Sequence, residues 1–154
     1  MNKKILIDNG DTGISPIRTF RNELNNLKIL VVDNSRIDRK LSIRLLKIII
    51  KSDEIVITVA ENGQEAVDKS GEQQYDLILT DINMPKMDGI EAAGLIRQKD
   101  NGVVIITQTA NVDREKVKKD CAAAGVDEII FKPVLENALR ELIIKHQKPD
   151  NREG

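Results

Sequence analysis

Residues 75–89 read YDLILTDINMPKMDG. Leu77 to Leu79 make a short apolar run that ends at a single carboxylate, Asp81, and the turn Met84-Pro85-Lys86-Met87-Asp88-Gly89 follows. A buried parallel strand reads as a near-continuous apolar run, and in open α/β sheets ligands gather just beyond the carboxyl ends of the strands. Asp81 is therefore the first candidate for chemistry.

Outward from this stretch, from Lys28 onward, apolar runs alternate with helical patterns, the signature of βα units around a parallel sheet. Strands are predicted at 28–32, 55–60, 75–80, 103–107 and 128–131. A first helix over 36–50 carries Ile37, Leu41, Leu45 and Ile48 on one face, and a second holds Ala66 and Val67 and is broken by Gly71. The third runs over 89–99 and the fourth over 113–124, with Gly125 as its C′ residue. The fifth, over 135–146, aligns Leu135, Ala138, Leu139, Leu142 and Ile143. Right-handed crossovers and short connections leave few topologies for five such units. A flavodoxin-like (βα)5 doubly wound parallel sheet of order 2-1-3-4-5 leads.

One domain is expected over 27–147, preceded by an extension or linker at 1–26 and followed by a disordered tail at 148–154. Residues 5–7 read as a short strand and 9–16 as a turn. DTGISP there has a vague likeness to the glycine box of histidine-kinase ATP-binding domains. With 24 basic and 25 acidic residues, charge balance gives no reason to expect a nucleic-acid or anionic-membrane partner. A lone cysteine, Cys121, excludes an internal disulfide and His146 is the only histidine, so no thiolate and imidazole cluster can hold a structural metal. No apolar stretch approaches a membrane span or a signal-peptide core, and a cytoplasmic location is expected.

In the expected topology strands one, three and four end side by side. Their loops hold Asp33, Asp81 and Thr109, and Lys132 arrives after strand five. A carboxylate accepts a phosphoryl group only where the charge building on the transferring oxygens is neutralised. A magnesium-type ion takes hard oxygen ligands such as carboxylates, a lysine supplies a mobile point charge, and a threonine hydroxyl donates a hydrogen bond. Each residue alone has a plainer reading: Asp33 as a helix N-cap, Thr109, Asn111 or Asp113 as caps of the fourth helix, Lys132 as a solvated lysine. Those readings do not explain why all four fall at matching strand ends.

ILVVDN at 29–34, LILTDINMPKMDG at 77–89, TANV at 109–112 and FKPV at 131–134 are similar to the signatures of two-component response-regulator receiver domains, chemotaxis receivers included. They occur in the family's order, and the similarity covers about 27–145. The resemblance implies Asp81 as phosphoacceptor, with Mg2+ held by Asp33, Asp81 and the backbone carbonyl of Asn83. It further implies Thr109 as the switch hydroxyl, Lys132 as counter-charge to the phosphoryl group, and a cis peptide bond at Lys132-Pro133. The implied donor is a histidine kinase or histidine phosphotransfer protein. A downstream target or a second copy would use the face of the fourth helix, fifth strand and fifth helix. A stand-alone regulator and a receiver from a hybrid kinase read alike.

Two positions depart from the family pattern. Asn34 stands where a second acid is usual, so the site loses a negative charge and is expected to hold magnesium weakly. Ile129 stands at the switch position where active receivers carry Tyr or Phe, and Phe131 does not replace it. Both suit an alternative in which a receiver-like module binds proteins without phosphorylation. A phosphohydrolase of the haloacid dehalogenase type would need an acid where Asn83 stands. Dinucleotide binding would need glycines after strand one, and an EF-hand would need Gly at Lys86. Cys121, with Val117 and Ala124 at helical spacing, reads as a buried helix face, and His146 as a cation at a helix C-terminus.

Overall fold

The structure, a computed structural model, describes residues 17–21 and 26–149. The strand expected at 5–7, the turn and glycine-box likeness at 9–16, and residues 150–154 of the expected tail lie outside the described residues.

Five strands, β1 (Lys28–Val32), β2 (Val56–Ala60), β3 (Leu77–Asp81), β4 (Val104–Thr109) and β5 (Glu128–Phe131), alternate with five helices. These are α1 (Arg36–Ile49), α2 (Gly63–Glu72), α3 (Gly89–Lys99), α4 (Arg114–Ala124) and α5 (Glu136–His146). All pairings are parallel and the order is β2-β1-β3-β4-β5, the expected flavodoxin-like sheet. Strand order reverses between β1 and β3, which opens a crevice at their carboxyl ends. Val32 pairs with Thr80 and Asp81 with Gln108. That register brings Asp33, Asp81 and Thr109 to one rim.

β3 is buried at all five residues, as a central parallel strand must be. Ile29, Val31, Leu77, Leu79, Val104 and Ile106 pack on one face of the sheet with Leu46 of α1 and Leu139 and Ile143 of α5. Leu30, Val32, Ile78 and Ile105 pack on the other with Ala66 of α2 and Ala93 and Ile96 of α3. Ser35, Asn62, Asp88 and Asp113 cap the first four helices, each accepting from an amide three residues on. Gly125 ends α4 in the left-handed region at φ +85°, where glycine carries no Cβ penalty. Among the described residues no helix is long and apolar enough to cross a membrane.

Several sequence expectations change. Of the expected face of α1 only Leu45 packs against the core, beside Ile43, Leu46 and Ile49 and continued by Ile50, while Ile37, Leu41 and Ile48 are exposed. The helix is apolar on more than one side, so its periodicity fits two orientations and only docking chooses between them. On α5, Leu139, Leu142 and Ile143 face the core as expected, but Ala138 and the N-cap residue Leu135 are exposed. Gly71 lies inside α2, in open space, and the helix ends at Gln73 instead. β4 runs on through Thr109, which pairs with Phe131 of β5.

Residues 17–21 lie against the end of the sheet opposite the crevice. Phe20 is buried and joins the core cluster beside Ile143. Its amide donates to the His146 carbonyl at 2.9 Å, and its carbonyl accepts from the Lys148 amide at 2.9 Å.

Candidate functional site

The crevice is built by β1, β3 and β4 and by the turn after β5. Asp33 and Asp81 are both buried. Oδ1 of Asp33 accepts from the Ser35 amide at 2.9 Å, and the Asp33 carbonyl accepts from Nη1 of Arg39 at 2.7 Å. Because Ser35 caps α1, Asp33 is spared that task. Oδ2 of Asp33 and Oδ1 of Asp81 are buried with no hydrogen-bond partner. Nζ of Lys132 lies 3.5 Å from Oδ1 of Asp81, close enough for an ion pair but too far for a short hydrogen bond.

Burial pushes both carboxyls above the usual range. For Asp33 the Ser35 amide opposes this and the charge of Asp81 adds to it, while for Asp81 the Lys132 ammonium and the Asn83 amide pull downward. Two buried acids with unpartnered oxygens form a site short of positive charge. They fit a hard divalent cation, which prefers carboxylate oxygens. Among the described residues no group of three His, Cys, Asp or Glu side chains converges on one point. Asn34 is exposed and lines a neighbouring depression with Glu61, Pro85 and Met87.

Thr109 is fully buried, and its hydroxyl is engaged twice. It donates to Oδ1 of Asn83 at 2.8 Å and accepts from the Asn111 amide at 3.0 Å. The Lys132 amide donates to the Thr109 carbonyl at 2.8 Å, tying the turn after β5 to the end of β4. The peptide bond between Lys132 and Pro133 is cis. Ile129 sits over α4 with Val117 and Cys121, and Phe131 beside it carries the Arg114 guanidinium 4.3 Å above its ring.

Asp33, Asp81, Asn83, Thr109 and Lys132 thus meet at one rim. Sequence reasoning missed Gly89, where an added Cβ would lie 2.1 Å from the Asp81 carbonyl oxygen. It also missed Asp38 of α1, whose Oδ2 is 3.8 Å from Nζ of Lys132. Gly89 could have been suspected from the tight Asp-Gly turn. Asp38 could not, because an acid three residues after a capping Ser is explained by the helix terminus alone.

Fold and site together define a class: flavodoxin-like signalling modules that gather acids, a hydroxyl and a lysine at the carboxyl ends of a parallel sheet. The chain belongs to the response regulator receiver domain family, whose profile matches residues 12–144. It is 37% identical over 123 residues to the transcriptional regulatory protein ResD of Bacillus subtilis, covering 80% of this chain and 48% of that protein. The chain therefore spans about half the length of that relative. Similar solved structures include two receiver domains. One is the receiver domain of a Saccharomyces cerevisiae response regulator in complex with its histidine phosphotransfer protein, with TM-score 0.69 and 26% identity, covering 80% of this chain and 90% of that one. The other is the receiver domain of a Pseudomonas aeruginosa sensor histidine kinase with magnesium in its active-site cleft, with TM-score 0.67 and 28% identity, covering 79% and 97%.

Proposed function

We propose that this receiver domain takes a phosphoryl group from a phosphohistidine onto Asp81 and uses it to alter protein contacts. The observation that supports this most is the pair of buried, unpartnered carboxylate oxygens of Asp33 and Asp81 beside Lys132. An Asp81 carboxylate oxygen attacks phosphorus as the bond from phosphorus to the donor imidazole nitrogen breaks, the bonding pair returns to that nitrogen, and the imidazole leaves neutral with the proton already on its other ring nitrogen. Lys132 neutralises charge spreading over the equatorial oxygens. Thr109 gives up Asn83 and donates its hydroxyl hydrogen to one of them. Mg2+ would be held by Asp33, Asp81 and the Asn83 carbonyl, with Asn34 offering a neutral oxygen, and would supply further charge neutralisation. The only reaction catalysed is the domain's own phosphorylation and dephosphorylation.

The donor is a histidine kinase or a histidine phosphotransfer protein, the latter being the partner in the yeast complex. Its docking site is the depression of about 470 Å³ at the rim, lined by Leu41, Leu45 and Ile48 of α1 together with Lys132 and Pro133. Leu41 and Ile48 are exposed apolar side chains there, in the same depression as Lys132. Output to a target or a second copy runs through α4, β5 and α5, where Ile129 gives a smaller rearrangement than an aromatic switch would.

Intact-mass analysis after incubation with acetyl phosphate tests the reading. One added phosphoryl group is expected with magnesium, and none with chelator or in Asp81→Asn. No addition to the native chain at high magnesium, with several donors, would favour a phosphorylation-independent scaffold.

A further inference from the structure

Lys132 is held between two carboxylates. Its Nζ lies 3.5 Å from Oδ1 of Asp81 and 3.8 Å from Oδ2 of Asp38, and hydrogen-bond contact is made with neither. Asp38 sits in the first turn of α1, where its amide donates to Oγ of Ser35 at 3.2 Å. Helix capping thus fixes the backbone of Asp38 and leaves its carboxylate free to face across to the turn after β5. Asp38 and Lys132 line one depression and are both only partly exposed, so the field between them is less screened than at an open surface.

We propose that Asp38 is a positioning residue for Lys132. It holds the ammonium back from Asp81 in the resting site. The proposal rests on the phosphoacceptor reading of Asp81. Without Asp38, Lys132 has one anionic neighbour within ion-pair distance and settles on Asp81. A lysine bonded to Asp81 occupies the oxygen that a divalent cation and an incoming phosphoryl group both need. With Asp38 in place, the lysine stays near enough to be recruited by a phosphoryl oxygen, and Oδ1 of Asp81 stays open. The residue therefore acts through Lys132 and touches neither the cation nor the donor.

The test is a double-mutant cycle on magnesium affinity, measured by calorimetry on the full, unphosphorylated chain. Asp38→Asn is expected to weaken magnesium binding about threefold, the scale of one half-exposed ion pair. Asp38→Glu is expected to restore it. In a Lys132→Ala background the same Asp38→Asn change is expected to have little effect, because no ammonium remains to collapse onto Asp81. An unchanged affinity in Asp38→Asn overturns the proposal. So does an equal loss with and without Lys132, which would mark Asp38 as general surface charge. A role confined to the helix terminus would lower thermal stability in both backgrounds and leave magnesium affinity alone. Phosphoryl uptake is scored separately by mass: a native chain that binds magnesium but takes up no phosphoryl group removes the phosphoacceptor reading, and the affinity cycle still decides the place of Asp38.

Discussion

Nε2 of His146 lies 2.7 Å from Oε2 of Glu128, and its Nδ1 lies 2.7 Å from the carbonyl oxygen of Arg18. Both partners only accept hydrogen bonds, so the buried ring carries two protons and a positive charge. Lys145 also reaches Glu128 at 2.7 Å, and Arg18 continues to Asp127 at 2.8 Å, which pairs with Arg97 at 3.0 Å. One buried imidazolium thus ties the segment at 17–21, the start of β5 and the end of α5 into a single clamp.

The clamp makes stability depend on pH. Burial lowers the affinity of His146 for its proton, but Glu128 and the Arg18 carbonyl outweigh it and leave the pKa above 6.5. The stabilisation is therefore complete below the unfolded value near 6.5 and is lost as pH rises through the folded value. Glu128 runs the other way. Burial raises its pKa, but the His146 and Lys145 bonds hold it below 4.5, so its contribution is present above that value and is lost as pH falls through the folded one. Native stability should fall on the alkaline side, while His146→Gln should be less stable by about 2 kcal/mol near neutrality and flatter above it. Parallel melting profiles for the two proteins would rule this out.

Phe20 is the apolar half of the same attachment. Replacing it with Ala should cost about 3 kcal/mol, the range for emptying a buried aromatic site. Removing residues 1–21 should cost at least as much. Urea titration of both variants measures this, and an unchanged midpoint would mean the segment leaves its place in solution.

At Asp81 the sign is reversed, because burial raises its pKa and Oδ1 has no hydrogen-bond partner. The carboxylate destabilises the metal-free fold at neutral pH, where the unfolded chain ionises more freely. Asp81→Asn should raise Tm by several degrees, about 1 kcal/mol, while abolishing phosphoryl uptake. Calorimetry without metal checks the first effect, and a lower Tm would contradict it.

Gly89→Ala should damage both fold and site. Its Cβ would stand 2.1 Å from the Asp81 carbonyl oxygen, so the turn after β3 must move and carry Asp81 with it. A loss of about 2 kcal/mol is expected, together with slower phosphorylation by acetyl phosphate at saturating magnesium. A variant with native melting and native rate would show that the turn relaxes without cost.

The sequence alone determined the order and type of the ten elements of the described residues, the parallel sheet and the rim holding Asp33, Asp81, Thr109 and Lys132. These rest on local signals: apolar runs too short for helices, capping residues, and strand ends that the topology rules bring together. It did not determine which side of α1 faces the core, because Ile37, Leu41 and Ile48 satisfy the same period as the buried set. Nor could it pair Asp38 with Lys132, or His146 with Glu128 and Arg18. Those contacts join residues far apart in the chain, and Asp38 and His146 each have a sufficient local explanation in a helix terminus. Tertiary packing decided them, since a charge near or beneath the surface takes its role from the groups that docking brings to it.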